Sequence, residues 1–198
     1  IKISAFYKNT LNQLEKAVDQ LKKEGAKSLV FDVRSTYDGT IEYTCRVIDY
    51  LVPTATDGNK ALATLVDKNG NNVKTYSSDA KDITMPMAVL INSDTAGYGE
   101  LFACDLKDFG KAFLIGEKTA GRADVQETFE LSDGGAVVLT TSKMLPYISE
   151  SFDGKGLTPD TEIILADSLR ENLSTLEKER DTQLQAAISM LAGNSSEG

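Results

Sequence analysis

The sequence has no histidine and no tryptophan, only two cysteines and four prolines. It also has no apolar run near the ~18 residues that a bilayer span requires. Each scarcity excludes something. Without histidine there is no Ser-His-Asp or Cys-His catalysis and no histidine metal motif. A nucleophile in this chain must take lysine, a carboxylate or an N-terminal amine as its base. Cys45 and Cys104 each fall in an apolar helical pattern and read as buried free thiols, which pack as small hydrophobes. A disulfide between them stays open at this level, and two cysteines alone do not make a metal site. Positive charge is also scarce. Twenty-one Lys and Arg against thirty Asp and Glu give a net charge of −9, which repels phosphate backbones and argues against a nucleic-acid partner. No signal peptide is present. The first residues already read as a strand, so the expectation is a chain trimmed at its start.

What is present is enough for one α/β domain with a substantial core: 198 residues, 41% of them hydrophobic. The organising stretch runs from Asn92 to Gln126. The apolar run Met87-Ala88-Val89-Leu90-Ile91 stops at a small-residue turn, Asn92-Ser93-Asp94-Thr95-Ala96-Gly97, and a helix follows from about Tyr98 to Phe109. A second apolar run, Ala112 to Ile115, stops at the loop from Gly116 to Gln126. Ligands of α/β folds bind just outside the carboxyl ends of such strands, so both loops belong on the site side of the sheet.

Around that stretch, Ile1–Phe6 reads as a strand, and Thr10 to Gln13 has the form of a capping box with Thr10 as N-cap. Leu11, Leu14, Ala17, Val18 and Leu21 then recur at helical spacing up to Gly25. Ser28 to Val33 reads as a buried strand. The helix from Thr40 to Leu51 turns Ile41, Cys45, Val47, Ile48 and Leu51 inward and is stopped by Pro53. Ala61–Asp67 and Val73–Tyr76 form a surface hairpin across Asn69-Gly70. Thr128–Leu131 and Ala136–Thr141 form another. The tail from Asp167 to Leu191 is helical, and residues 193–198 are expected to fray. The fold class expected is α/β: a mixed β-sheet core with flanking helices and added hairpins, residues 1–166 making the core and 167–198 a C-terminal helical segment.

The motifs, in order, resemble the carboxyl-terminal processing (tail-specific) serine peptidases. The run Asp32-Val33-Arg34-Ser35-Thr36-Tyr37-Asp38-Gly39 matches the family's Asp-Leu-Arg-Asn-Asn-Pro-Gly-Gly. Gly116-Glu117-Lys118-Thr119-Ala120-Gly121-Arg122-Ala123-Asp124-Val125-Gln126 matches its Gly-Glu-Lys-Thr-Phe-Gly-Lys-Gly-x-Val-Gln. Leu131-Ser132-Asp133-Gly134, Gly154-Lys155-Gly156-Leu157-Thr158-Pro159-Asp160 and Asp181-Thr182-Gln183-Leu184 match three further stretches. The resemblance covers nearly the whole chain. It implies a tail-specific peptidase (ClpP/crotonase-like) core, a polypeptide substrate that is unstructured or a C-terminus, no cofactor and no metal, and a place outside the cytoplasm, at the cell envelope. It also implies a PDZ-type domain upstream, which this chain does not contain.

The family uses a serine nucleophile, a lysine base of lowered pKa and an orienting glutamine, with backbone amides stabilising the oxyanion. In this chain the nucleophile position is Gly97, which has no side chain, and the base position is Arg122. Arginine stays protonated and cannot act as a general base. Gln126 stands where the orienting glutamine does. Asp38 replaces the first glycine of the oxyanion loop, ahead of Gly39, and is placed to pair with Arg122. Tyr98 fills a small-residue position and is expected to make the site shallower. The resemblance therefore implies a peptidase homologue that has lost its dyad and binds peptide or protein. The alternative is an active enzyme with a relocated dyad, Ser93 or Thr95 with Lys118 as base. In the non-catalytic reading Thr95 is a turn hydroxyl that caps the following helix, and Glu100 complements that helix's dipole.

Overall fold

The computed structural model describes residues 1–53, 61–78 and 83–194. In chain order its elements are β1 (Ala5–Phe6), α1 (Thr10–Lys23), β2 (Leu29–Asp32), β3 (Asp38–Gly39) and α2 (Ile41–Leu51). Then come β4 (Ala61–Val66), β5 (Asn72–Ser77), β6 (Met87–Ile91), α3 (Tyr98–Asp108) and β7 (Ala112–Gly116). The second half holds β8 (Asp124–Glu130), β9 (Ala136–Leu145), β10 (Thr161–Glu162), α4 (Asp167–Arg170), a 3₁₀ turn at Lys178–Arg180 and α5 (Thr182–Asn194).

The central sheet is parallel, in the order β10-β7-β6-β2. Parallel strands are covered on both faces and so read as continuous apolar runs. β6 is the clearest case, with all five residues buried. Its alternation sorts the layers. Met87, Val89 and Ile91 join the large core formed with α1, α2 and α3, while Ala88 and Leu90 face Ala187 and Leu191 of α5. Phe102 of α3 anchors the large core, its ring 5.4 Å from Phe6 and 5.5 Å from Phe31. Full burial of such a side chain stabilises by about 1.5–3 kcal/mol. A second sheet, antiparallel and ordered β5-β4-β9-β8, carries both hairpins, and β1 pairs with β3.

Several local expectations are corrected. The opening strand is confined to a single bridge from Lys2 to Asp32 and to β1. Thr10 does not cap α1; Asn9 holds that position without a side-chain bond. The Thr10 hydroxyl instead accepts from Tyr7 N and donates to Ala5 O, closing the turn behind β1. β8 begins at Asp124, so Asp124 to Gln126 is strand and not loop; its pairing with β9 extends back through Lys143. Both cysteines are buried and free. Of the residues expected to fray, 195–198 lie outside the described residues.

Two buried polar groups tie the layers together. Arg34, 4% exposed, leaves the end of β2 and bonds Asp32, Asp181 and Gln183. Burial pulls its guanidinium towards the neutral form, but the bonds from Asp32 and Asp181 more than offset this and raise its pKa. The tail is thus locked to the strand end by charge as well as by packing. Asp105 of α3 is the other. Its Oδ1 accepts from Tyr147 N at 3.0 Å, and its Oδ2 has no partner among the described residues. Burial pushes its carboxyl well above the usual 3.8, against the opposing pull of the Tyr147 bond.

Removing Arg34 strands two carboxylates, so Arg34→Ala is expected to cost about 3–5 kcal/mol in denaturant unfolding. For Asp105, a carboxyl whose pKa is raised on folding contributes stability that is full below its unfolded value of 3.8 and drains as pH rises. Asp105→Asn removes that drain. Unfolding of both proteins at acidic and at mildly alkaline pH is expected to shift in the variant's favour as pH rises; a pH-independent difference rules this out.

Candidate active site

The turn after β6 is built by one hydroxyl. Thr95 Oγ1 accepts from Asn92 N at 3.1 Å and lies 2.9 Å from Val33 O, its bond across to the loop that follows β2. Asn92 fastens the same loop, accepting from Ser35 N at 2.8 Å and donating to Ser35 Oγ. Ser35 has φ of 60°, a left-handed conformation rare for a residue with a side chain, and these bonds hold it there. Ala96 N then donates to Thr36 O, and Ala120 N donates to Thr95 O. Three strand-end loops, 34–39, 92–97 and 116–123, are thereby stitched edge to edge.

Gly97 sits where they meet. A Cβ there would lie 3.4 Å from Tyr37 O and 3.8 Å from Arg122 O. Its φ of +55° favours glycine. Three residues on, Glu100 is fully buried at the start of α3. Glu100 Oε2 accepts from Gly97 N at 3.0 Å and Arg122 N at 2.8 Å. Glu100 Oε1 accepts from Gly121 N at 2.7 Å and from the Thr119 hydroxyl. This is half a capping box, because Gly97 has no side chain to reciprocate. Burial raises the Glu100 carboxyl above its ordinary range, and the four donors offset part of that shift. Thr119 Oγ1 passes the bracing on by accepting from Leu157 N.

Against this frame lies a cavity of about 400 Å³. Tyr37, Asp38 and Gly39 form one wall, Ala96, Gly97 and Tyr98 the floor, and Arg122, Asp124, Gln126 and Thr128 of β8 the other wall with Val138 of β9. A larger groove of about 510 Å³ runs along residues 1–17 and touches none of the three loops. The cavity brings together Gly97, Tyr98, Asp38, Gly39, Arg122 and Gln126. It leaves out Ser93, Thr95 and Lys118. Ser93 and Lys118 are exposed, and Thr95 is fully buried beneath the turn.

Two expectations are revised. Thr95 does not cap α3; its hydroxyl is spent within the turn and on Val33. Asp38 does not pair with Arg122. The Asp38 carboxylate instead accepts from Gly39 N at 2.9 Å, and Arg122 has no ion pair among the described residues. Glu100 was legible only as a dipole partner. The signal for more was its place three residues after a turn glycine, in the capping-box position. Asp124 was missed because the start of β8 was read as loop, and Thr128 and Val138, though read as strand, because they were read as part of a plain hairpin; alternation along a strand puts Asp124, Gln126 and Thr128 on one face.

Glu100→Gln exchanges one acceptor oxygen for a donor that faces backbone N–H groups. The expected loss is about 3 kcal/mol in equilibrium unfolding, from orphaned buried donors. A variant as stable as the parent would show that the carboxylate does not hold the loops.

Comparison with known proteins follows the geometry. The model of Peptidase family S41 matches residues 1–163. The carboxy-terminal processing protease CtpA of Bacillus subtilis (strain 168) is 32% identical over 167 residues, covering 84% of this chain and 35% of the relative. The carboxyl-terminal-processing protease of Picosynechococcus sp. (strain ATCC 27264 / PCC 7002 / PR-6) is 29% identical over 192 residues, covering 96% of this chain and 44% of the relative. This chain therefore spans under half the length of these relatives. Among solved structures, the photosystem II D1 C-terminal processing protease superposes with a TM-score of 0.72 at 28% identity, over 82% of this chain and 41% of that one. With a family match over residues 1–163 and the same α/β core, the chain belongs to peptidase family S41.

Proposed function

We propose that this chain is a non-catalytic member of its family that binds polypeptide, an unstructured segment or a C-terminus, at the cavity beside Gly97. One observation carries the reading: among the described residues, the lining of that cavity holds no serine, no cysteine and no lysine. Its hydroxyls are those of Tyr37, Tyr98 and Thr128, and its cation is Arg122. Arginine does not accept a proton from an attacking hydroxyl. A hydroxyl without a base within reach is a poor nucleophile at neutral pH.

The acyl-transfer machinery is blocked at a second point. An oxyanion needs free backbone donors aimed at the developing charge. The Gly39 amide already donates to Asp38 Oδ1, and the Gly97 amide to Glu100 Oε2. Asp38 also adds a negative charge where negative charge would have to build up. Loss of a single oxyanion donor costs about 10²–10³ in rate. What remains is a water-accessible cleft between a loop and a β-hairpin, with a fixed floor and polar walls, suited to holding an extended chain. Residues 1–166 supply that core in this reading, and α5 of the C-terminal segment braces it from the other face of the sheet. A location outside the cytoplasm goes with it.

The test is cleavage of casein and labelling by a fluorophosphonate. The parent chain is expected to do neither. The triple variant Gly97→Ser, Arg122→Lys, Asp38→Gly restores nucleophile, base and a free Gly39 amide, and is expected to label. Casein binding by the parent, read by surface plasmon resonance, completes the expectation. Labelling or cleavage by the parent overturns the proposal and points to the alternative dyad, Ser93 or Thr95 with Lys118.

A further inference from the structure

We propose that the cavity at Gly97 seats a basic residue of the bound polypeptide, its cation resting on Asp38 between the rings of Tyr37 and Tyr98. This rests on the polypeptide-binding reading and names the side chain that the cavity selects.

The wall formed by the loop 34–39 and the start of α3 is aromatic and acidic. Tyr37 is 62% exposed at its rim, and Tyr98 is half-buried at its base. An aromatic ring held at a cavity mouth has a negative face to offer, and a Lys or Arg head group over such a face is attracted to it. Asp38 lines the same cavity as the two tyrosines. Its carboxylate accepts from the Gly39 amide at 2.9 Å, and the same carboxylate raises the nearby Tyr7 phenol. An ionised carboxylate has about four acceptor sites, so one bond orients it and leaves capacity for a ligand. No cation of the chain pairs with Asp38 among the described residues. The phenol of Tyr98 is raised by burial first, then by Tyr76, Asp38 and Tyr7. That places Tyr98 within the field of the same carboxylate.

The charge of the whole lining agrees. Asp38 and Asp124 oppose one Arg122, which leaves the cavity with one net negative charge. An anionic ligand would meet two carboxylates. An apolar side chain would find only Ala96 and Val138 besides the tyrosine rings. The net charge of −9 on the chain adds long-range attraction for a basic segment. Arg122 acts against the bound cation from the opposite wall, so its removal should strengthen binding.

The experiment is fluorescence anisotropy with short unstructured peptides that differ at one central residue: lysine, arginine, norleucine or glutamate. The lysine and arginine peptides are expected to bind about tenfold more tightly than the norleucine peptide, a combined cation–π and ion-pair effect. Asp38→Asn should abolish that preference, Tyr37→Ala should shrink it, and Arg122→Ala should enlarge it. Both side chains are exposed, Tyr37 in the loop and Asp38 at the start of β3, and circular dichroism checks that each variant folds. Equal binding of all four peptides, or preference for glutamate, overturns the inference and leaves polypeptide binding standing. A preference that survives Asp38→Asn also overturns it. If no peptide and no casein binds, the polypeptide reading itself fails and this inference goes with it.

Discussion

The buried carboxylate of Glu100 is the constraint on which the site depends. Loops 92–97 and 116–123 come from the ends of different strands, and nothing in their own sequences makes them adjacent. One side chain accepts from Gly97, Gly121, Arg122 and Thr119 at once. Each donor satisfies a group that would otherwise be orphaned out of water, where an unmade hydrogen bond costs about 1–3 kcal/mol. Four matched bonds therefore offset part of the cost of burying an acid that would prefer water. The cavity floor and the Arg122 side of its wall are consequences of that bargain between desolvation and hydrogen bonding.

The same logic recurs one layer away. Arg34 has no surface exposure of consequence, yet it bonds Asp32 at its own strand end and Asp181 and Gln183 from the tail. Asp160 accepts from Leu114 N at 2.8 Å and pairs with Lys107. Asp32, Arg34, Asp160 and Asp181 belong to the motifs by which the chain resembles its family. In the structure they join strands to loops and to the tail. The motifs thus report a shared frame. They do not by themselves report a shared reaction.

That distinction explains what could be read in advance. β6 is an uninterrupted apolar run because both its faces are covered, so its burial and parallel neighbours were legible from pattern alone. So were α2 and α3, whose inward residues recur at helical spacing. The start of β8 was not legible, because Asp124, Gln126 and Thr128 are polar on the face that lines an open cavity, and a solvated strand face looks like loop. Thr10 and Thr95 were both misread as helix caps. A threonine hydroxyl near a helix start has several backbone groups within reach, and sequence spacing does not say which it takes. In each case it went to a longer-range carbonyl or a preceding turn. Asp38 is a third instance. Opposite charge suggested Arg122, but a nearer donor, the adjacent Gly39 amide, took the carboxylate first.

The separation of frame from chemistry also bears on the proposal that this fold persists here without a dyad. The groups that hold the loops are buried and multiply bonded, so changing them is costly. The positions at which the proposal has this chain depart from the family, Tyr37, Asp38 and Arg122, are exposed, and Gly97 bonds through its backbone N–H and C=O. Substitution there leaves Glu100, Thr95, Asn92 and Arg34 untouched. The cavity keeps its floor and its width while the character of its walls is free to change. A site whose scaffold is fixed by residues other than those that react can lose a reaction and keep a shape. The acidic, aromatic wall around Asp38 is what that freedom has produced here, and it is the surface that any ligand entering beside Gly97 must meet.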